Sequence, residues 1–201
     1  QLVPVSDGKI YFNDQLITDL NSADLKKLRS NIGMIFQTFN LVKRSSVFKN
    51  VAAGRASHLP TWKNILGLYP KKDKEIIFSS LERVNILEKV YARADELSGG
   101  QQQRVGIARA LAQEPEVILA DEPVASLDPP TAHVVIQDLK RINKEMGMTV
   151  IINLHFIDLA LEYADRIIGL KDGNLVYDGS ADQTDEESFE KIYGKSVSPE
   201  R

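Results

Sequence analysis

Apolar and polar positions recur along this chain in several ways, and each pattern predicts a different element. In GKIYFNDQLI (Gly8 to Ile17), two short β-type runs flank Asn13-Asp14, which predicts a hairpin turning at that dipeptide. Lys26 to Ser30 is basic and helix-compatible, and IGMIF (Ile32 to Phe36) predicts a short apolar strand. Residues 46–58 read as helix. Pro60, Gly67 and Pro70 interrupt 59–70, which predicts a loop or a broken helix. Across 71–89, Ile77, Leu81, Val84 and Leu87 recur at helical spacing. Ser98 then offers an N-cap to a helix on which Val105, Ala108 and Leu111 share a face, and Pro115 stops it.

Two further runs show no alternation at all. EVILA (Glu116 to Ala120) and TVIINL (Thr149 to Leu154) are continuously apolar at their centres, the pattern of parallel strands buried on both faces. Between them, residues 131–146 predict a helix with Val135, Leu139, Ile142 and Met146 on its inner face and Gly147 at its C′ position. Residues 156–164 look helical and Ile167 to Leu170 strand-like. Asp172-Gly173 predicts a turn into NLVYDG, and the tail from Ala181 is polar and acidic with one weak helical stretch.

Strands alternating with helices argue for an α/β fold with a mainly parallel sheet. The mostly helical residues 42–95 read as an inserted subdomain. Residues 1–41 and 96–201 then form the core part of a single domain, with hairpins at its periphery.

Composition changes this picture little. With 201 residues, 43% hydrophobic and 26% charged, the chain suits one globular domain with a real core. A net charge of −3 and the lack of a long basic run give no support to nucleic acid as a partner. Without cysteine there is no disulfide or thiolate metal site, and His58, His133 and His155 lack metal-ligand spacing. No apolar stretch approaches the roughly 20 residues that span a bilayer.

Candidate chemistry sits where elements begin and end. Ser98-Gly99-Gly100 opens a helix, whose free N–H groups and partial positive charge suit an anion. Glycines let a phosphate approach the backbone, although a plain N-cap explains the same three residues. Asp121-Glu122 closes an apolar strand, and in open α/β sheets ligands bind at the carboxyl ends of strands. There Asp121 would hold Mg²⁺ and Glu122 would orient an attacking water. His155 follows TVIINL and Gln37 follows IGMIF in the same way, so both are expected near that edge. Alone, each is more simply a structural side chain.

Their order and spacing resemble the ATPase subunit of an ABC transporter. The matching elements are the Q-loop (Gln37), the signature LSGGQ (Leu97–Gln101), the Walker B strand (Val117–Asp121), the catalytic glutamate (Glu122), the D-loop (Ala125–Asp128, with Ser126, Leu127 and Asp128) and the switch histidine (His155). The stretches SHLPTWKNILGLYP, SGGQQQRVGIARALAQEPEVILADEPVASLDP and LALEYADRIIGL look most like the phosphonate-import ATPases. Phe156 departs from the polar residue usual after the switch histidine.

The resemblance implies a P-loop NTPase-like core, ATP with Mg²⁺ on Asp121 and Gln37, and hydrolysis by Glu122 with His155 and Gln37. It implies a head-to-tail dimer in which Ser98, Gly99, Gly100 and Gln101 cover the partner's ATP. It also implies permease subunits, a solute-binding protein, and a peripheral place on the cytoplasmic face of the cell membrane. The chain departs from the family in lacking G-x-x-x-x-G-K-[ST], whose amides and lysine hold the β- and γ-phosphates. Gly194-Lys195-Ser196 is no substitute, because Phe189 stands where the first glycine belongs. In the family the P-loop lies just upstream of a segment like LVPVSDGKI, so the sequence reads as a cassette truncated after its P-loop helix has begun. A non-transport ABC ATPase and a noncatalytic, degenerate subunit are the alternatives.

Overall fold

The computed structural model describes residues 5–184 together with Phe189 and Ile192. Gly194-Lys195-Ser196 and the weak helix expected in the tail lie outside the described residues. The hairpin of β1 (Tyr11–Phe12) and β2 (Gln15–Leu16) turns at Asn13 and Asp14, both at positive φ, as a two-residue hairpin requires. Helix α1 (Ser22–Ser30) begins at Asn21, whose side chain accepts the N–H groups of Ala23 and Asp24. Strand β3 (Ile32–Ile35) follows.

A helical run comes next: α2 (Val47–Ala52), a 3₁₀ segment (Ala53–Ser57), α3 (Thr61–Leu66) and α4 (Lys71–Arg83). Helix α5 (Gly99–Ala112) leads to β4 (Val117–Asp121). Helix α6 (Pro129–Met146) starts at Asp128 with prolines in its first turn and stops at Gly147, φ 64°. Strand β5 (Thr149–Asn153), α7 (Ile157–Tyr163) and the hairpin of β6 (Arg166–Lys171) and β7 (Asn174–Ser180) complete the described chain.

Strands β3, β4 and β5 form one parallel sheet in that order, so their carboxyl ends share an edge. β6 and β7 pair antiparallel as a separate two-stranded sheet. One continuous core joins the sheet to the helices: Ile35 and Ile118 from the strands, Val47, Ile77 and Leu81 from the helical run, Val105 and Ile107 from α5, and Val135 and Ile142 from α6. The fold is the expected α/β arrangement with a parallel sheet.

A buried ion pair locks the helical run onto α5. Arg55 Nε donates to Asp73 Oδ1 at 2.8 Å, and its Nη1 reaches the carbonyl of Ala112 at the end of α5. Both side chains are buried, so the pair is also hydrogen-bonded, as a buried charge requires. Gly54 packs so closely there that a Cβ would stand 2.2 Å from the carbonyl oxygen of Arg109.

Four local expectations are corrected. The periodicity over 71–89 outruns its helix, because α4 ends at Arg83. Asn85 takes φ 52°, its N–H donates to Glu82 O, and Ile86 N–H reaches back to Leu81 O, a Schellman stop with asparagine in the left-handed position. Val84 and Ile86 are buried beyond that stop, so the apolar repeat serves packing rather than helix. Helix α6 starts two residues early because Asp128 caps it and proline tolerates the first turn. Met146 leaves the inner face of α6: it is 38% exposed while Val135, Leu139 and Ile142 are buried, since the helix ends beside it.

The fourth correction is the largest. β5 was expected to be buried, yet none of its five residues is, and Ile151 is 55% exposed. Its outer edge has no strand partner among the described residues. Apolar composition there therefore exceeds what the described layers cover.

Candidate active site

The shared carboxyl edge of the sheet brings three predicted residues to one point. Glu122 directly follows β4, and Gln37 and His155 each lie two residues beyond the ends of β3 and β5. Gln37 Nε2 donates to Glu122 Oε2 at 2.8 Å, and His155 Nε2 lies 2.6 Å from Glu122 Oε1. Each carboxylate oxygen thus has its own side-chain partner from a neighbouring strand.

The backbone aims the carboxylate. Glu122 takes φ 43°, which is strained for a non-glycine residue, and its N–H donates to the carbonyl of Asn153 across the sheet. The same Asn153 donates its side-chain amide to Asp121 Oδ1 at 3.0 Å. It therefore orients both acidic residues, a role the sequence reading missed. The signal was available in the register, because two parallel apolar strands ending together place Asp121 opposite Asn153.

No cluster of three or more His, Cys, Asp or Glu suited to a metal occurs among the described residues. Asp121 Oδ2 and Gln37 Oε1 are nevertheless left without a hydrogen bond among those residues. Two oxygen donors fit Mg²⁺, which completes its octahedron with water and substrate phosphate rather than with a full protein cage.

The signature segment lies at the N-terminus of α5. Ser98 Oγ accepts the N–H of Gln101, and Gln101 Oε1 accepts the N–H of Ser98, a capping box. The serine's own hydroxyl proton remains available to an anion. The two glycines differ. A Cβ on Gly99 would meet only ordinary contacts, Leu127 Cδ2 at 3.5 Å and Phe39 Cζ at 4.0 Å, whereas one on Gly100 would stand 2.5 Å from Thr131 Cγ2. A Cβ at position 100 would thus force the Thr131 side chain to shift, independently of any phosphate.

In the D-loop, Ser126 is exposed, Leu127 packs beside Gly99, and Asp128 caps α6. The hydroxyl and then the backbone N–H of Thr131 donate to Asp128 and hold its carboxyl below the ordinary carboxylate range. Phe156 is half exposed and makes no side-chain cap to α7.

Ser98 to Gln101 do not touch the Gln37, Glu122 and His155 cluster through any hydrogen bond among the described residues. The edge therefore holds a carboxylate with two side-chain partners beside a second acidic residue, and apart from them lies a glycine-rich, capped helix N-terminus. Comparisons with known proteins place the whole chain in a family. The ABC transporter family profile matches residues 1–125. The phosphonates import ATP-binding protein PhnC of Staphylococcus saprophyticus is 58% identical over 200 residues, covering 100% of this chain and 78% of that protein. PhnC 3 of Halalkalibacterium halodurans is 57% identical over 197 residues, 98% of this chain and 76% of that protein. Among solved structures, the ATP-binding cassette MJ0796 in a dimeric post-hydrolysis state with ADP and Pi matches with TM-score 0.72 and 34% identity, over 90% of this chain and 76% of that one. The ADP conformation of the cassette MJ1267 matches with TM-score 0.80 and 26% identity, over 96% and 80%. The chain belongs to the ABC transporter family, as the ATP-binding cassette of its ATPase subunit.

Proposed function

We propose that this chain is the ATP-hydrolysing subunit of an importer for phosphonates or related organophosphorus anions. The observation that carries the hydrolytic part is the engagement of the Glu122 carboxylate by Gln37 and His155 at one sheet edge. Glu122 would accept a proton from an attacking water, His155 would contact the terminal phosphate, and Asp121 with Gln37 would hold Mg²⁺. When bound, Mg²⁺ neutralises phosphate charge. The substrate class rests on relatives at 57–58% identity that are named for phosphonate import.

The P-loop belongs to the same proposal. The edge of β5, unpartnered among the described residues, would take the strand that carries it. Ser98, Gly99, Gly100 and Gln101 would cover ATP held by a second subunit in a head-to-tail dimer. Ser126, Leu127 and Asp128 would line that interface.

Residues 42–95 would act as the helical subdomain facing the permease. Trp62, Ile65, Leu66 and Leu68 on and beside α3 are each more than half exposed, a patch of the kind that marks interaction surfaces. No helix among the described residues is long and apolar enough to cross a membrane. Attachment at the cytoplasmic face of the membrane would therefore come through the permease, with a solute-binding protein delivering the anion.

The test reconstitutes the parent protein with its permease and binding protein in vesicles. ATP turnover stimulated by an alkylphosphonate, and not by sulfate or a sugar, is the expected result. Turnover without any solute response would leave an ATPase and overturn the import assignment. A parent without nucleotide binding would support the degenerate subunit instead.

A further inference from the structure

Arg109 lies in the last turn of α5, far along the helix from Ser98, and belongs to none of the motifs above. Its guanidinium is half-buried, and burial pushes its pKa down from the ordinary arginine value. No carboxylate pairs with it among the described residues. Instead Nη2 donates to the carbonyl of Phe39 at 2.9 Å and Nη1 donates to the carbonyl of Asn40.

Those two carbonyls belong to the turn that follows Gln37. Phe39 and Asn40 both sit in the left-handed region, φ 59° and 48°, an uncommon conformation for two successive non-glycine residues. The turn's own bonds are three: Phe39 N–H donates to Phe36 O at 3.3 Å, Asn40 N–H to Thr38 O at 2.6 Å, and the Thr38 hydroxyl to Asn40 Oδ1 at 3.1 Å, and none of them uses the Phe39 or Asn40 backbone carbonyl. A forked cation with its donors on adjacent carbonyls holds such a turn in one shape, which a lysine's single ammonium cannot reproduce. The Phe39 ring meanwhile rests beside Gly99, which also neighbours Leu127. Two residues before Phe39, Gln37 reaches Glu122.

We propose that Arg109 is a positioning residue for ATP hydrolysis, fixing the Phe39–Asn40 turn so that Gln37 meets the Glu122 carboxylate. Arg109 touches neither substrate nor Glu122, and it acts through Gln37. Because it belongs to the helix that begins at Ser98, it ties the placement of Gln37 to the helix that would face the partner subunit's ATP. This inference rests on the hydrolytic reading of Glu122.

The test is a double-mutant cycle of Arg109 and Gln37 in the full-length parent assembled with its permease. Arg109→Lys and Arg109→Gln should lower kcat about 10- to 100-fold, the scale of a small misplacement near the chemistry. KM for Mg-ATP should rise by less than kcat falls, because Gln37 is one of several groups at the proposed Mg²⁺ site, and Lys should retain more activity than Gln. Once Gln37 is replaced by alanine, removing Arg109 should cost less than about twofold more, since both changes break one chain of contacts. Independent, multiplicative losses, a rise in KM that accounts for the defect, or an unchanged kcat would overturn the proposal. Arg109→Lys keeps the test valid if Arg109→Gln does not fold. Glu122→Gln in the same assay separates the two ideas: retained turnover there would sink the hydrolytic reading itself, whatever Arg109 does.

Discussion

The Glu122 cluster and the N-terminus of α5 are both assigned to ATP in the proposed function, yet they are built in opposite ways. Glu122 is held by side chains from β3's and β5's ends, and its backbone is bound to Asn153. Three strands must be in register before it exists. Ser98 to Gln101 satisfies itself within four residues through a capping box, and only Gly100 depends on another element, α6. The first site is assembled by the fold and the second is carried by a single helix. An assembled site can act within one subunit. A self-contained helix terminus is suited to an anion that arrives from outside, which is the division of labour the dimer reading requires.

The most severe way to break that comparison is to ask the chain of residues 1–201 to work alone. It has no P-loop amides or lysine for the β- and γ-phosphates, and the helix terminus would meet only a terminal phosphate presented by a partner. The expected outcome is neither tight Mg-ATP binding by calorimetry nor phosphate release. The edge of β5, unpartnered among the described residues, and the exposed Ile151 should also make residues 1–201 alone prone to aggregate. Micromolar binding, or turnover abolished by Glu122→Gln, would show a complete nucleotide site within these residues.

Within the parent, Glu122→Gln should give the next largest loss, about 10²–10⁴-fold in hydrolysis with ATP binding preserved. Glutamine keeps the shape that Gln37 and His155 engage but cannot take a proton. Near-normal turnover would remove Glu122 as the base and leave the assembled site without its function.

The candidate residues of both sites were legible in the sequence because their order and spacing resemble the motifs of ABC ATPases. Their supports were not. Asn153 is one polar residue at a strand end, and only the β4–β5 register gives it Asp121 and Glu122 as neighbours. Gly100 read as a phosphate-approach glycine, while its contact with Thr131 depends on where α6 crosses α5. Arg109 carries no signal in the sequence, since its partners are backbone carbonyls with no side-chain signature. The α/β class was legible from two unbroken apolar runs, but the burial of β5 was not, because composition records the surroundings a strand is suited to and not those present.

His155→Ala probes the assembled site more gently. It should lower hydrolysis about 10- to 100-fold, since one oriented contact on Glu122 and the terminal phosphate is lost. The His155 side chain is 67% exposed, so stability should change by less than about 0.5 kcal/mol. A sharply lower melting temperature with normal activity per folded molecule would make His155 structural.

The smallest effects separate the two glycines and sharpen the comparison most. In the parent, Gly100→Ala forces a Cβ to within 2.5 Å of Thr131 Cγ2. Overpacking of this kind costs about 1–3 kcal/mol, partly offset by the roughly 1 kcal/mol that alanine gains over glycine in a helix. The melting temperature should fall by a few degrees, about 2–4 °C per kcal/mol for a domain of this size. Adding Thr131→Ser removes the offending methyl, keeps the hydroxyl that donates to Asp128, and should restore most of the stability. Gly99→Ala meets only contacts of 3.5 and 4.0 Å, so stability should hold or rise by up to about 1 kcal/mol. Its penalty should appear in the dimer's hydrolysis, where the added methyl stands between the helix N–H groups and the partner's phosphate. The two variants thus exchange their phenotypes: one loses stability and regains it through Thr131, the other loses turnover while staying folded. If Gly99→Ala instead left turnover intact, the helix terminus would be a cap and nothing more, and the second half of the comparison would fall while the Glu122 cluster stood.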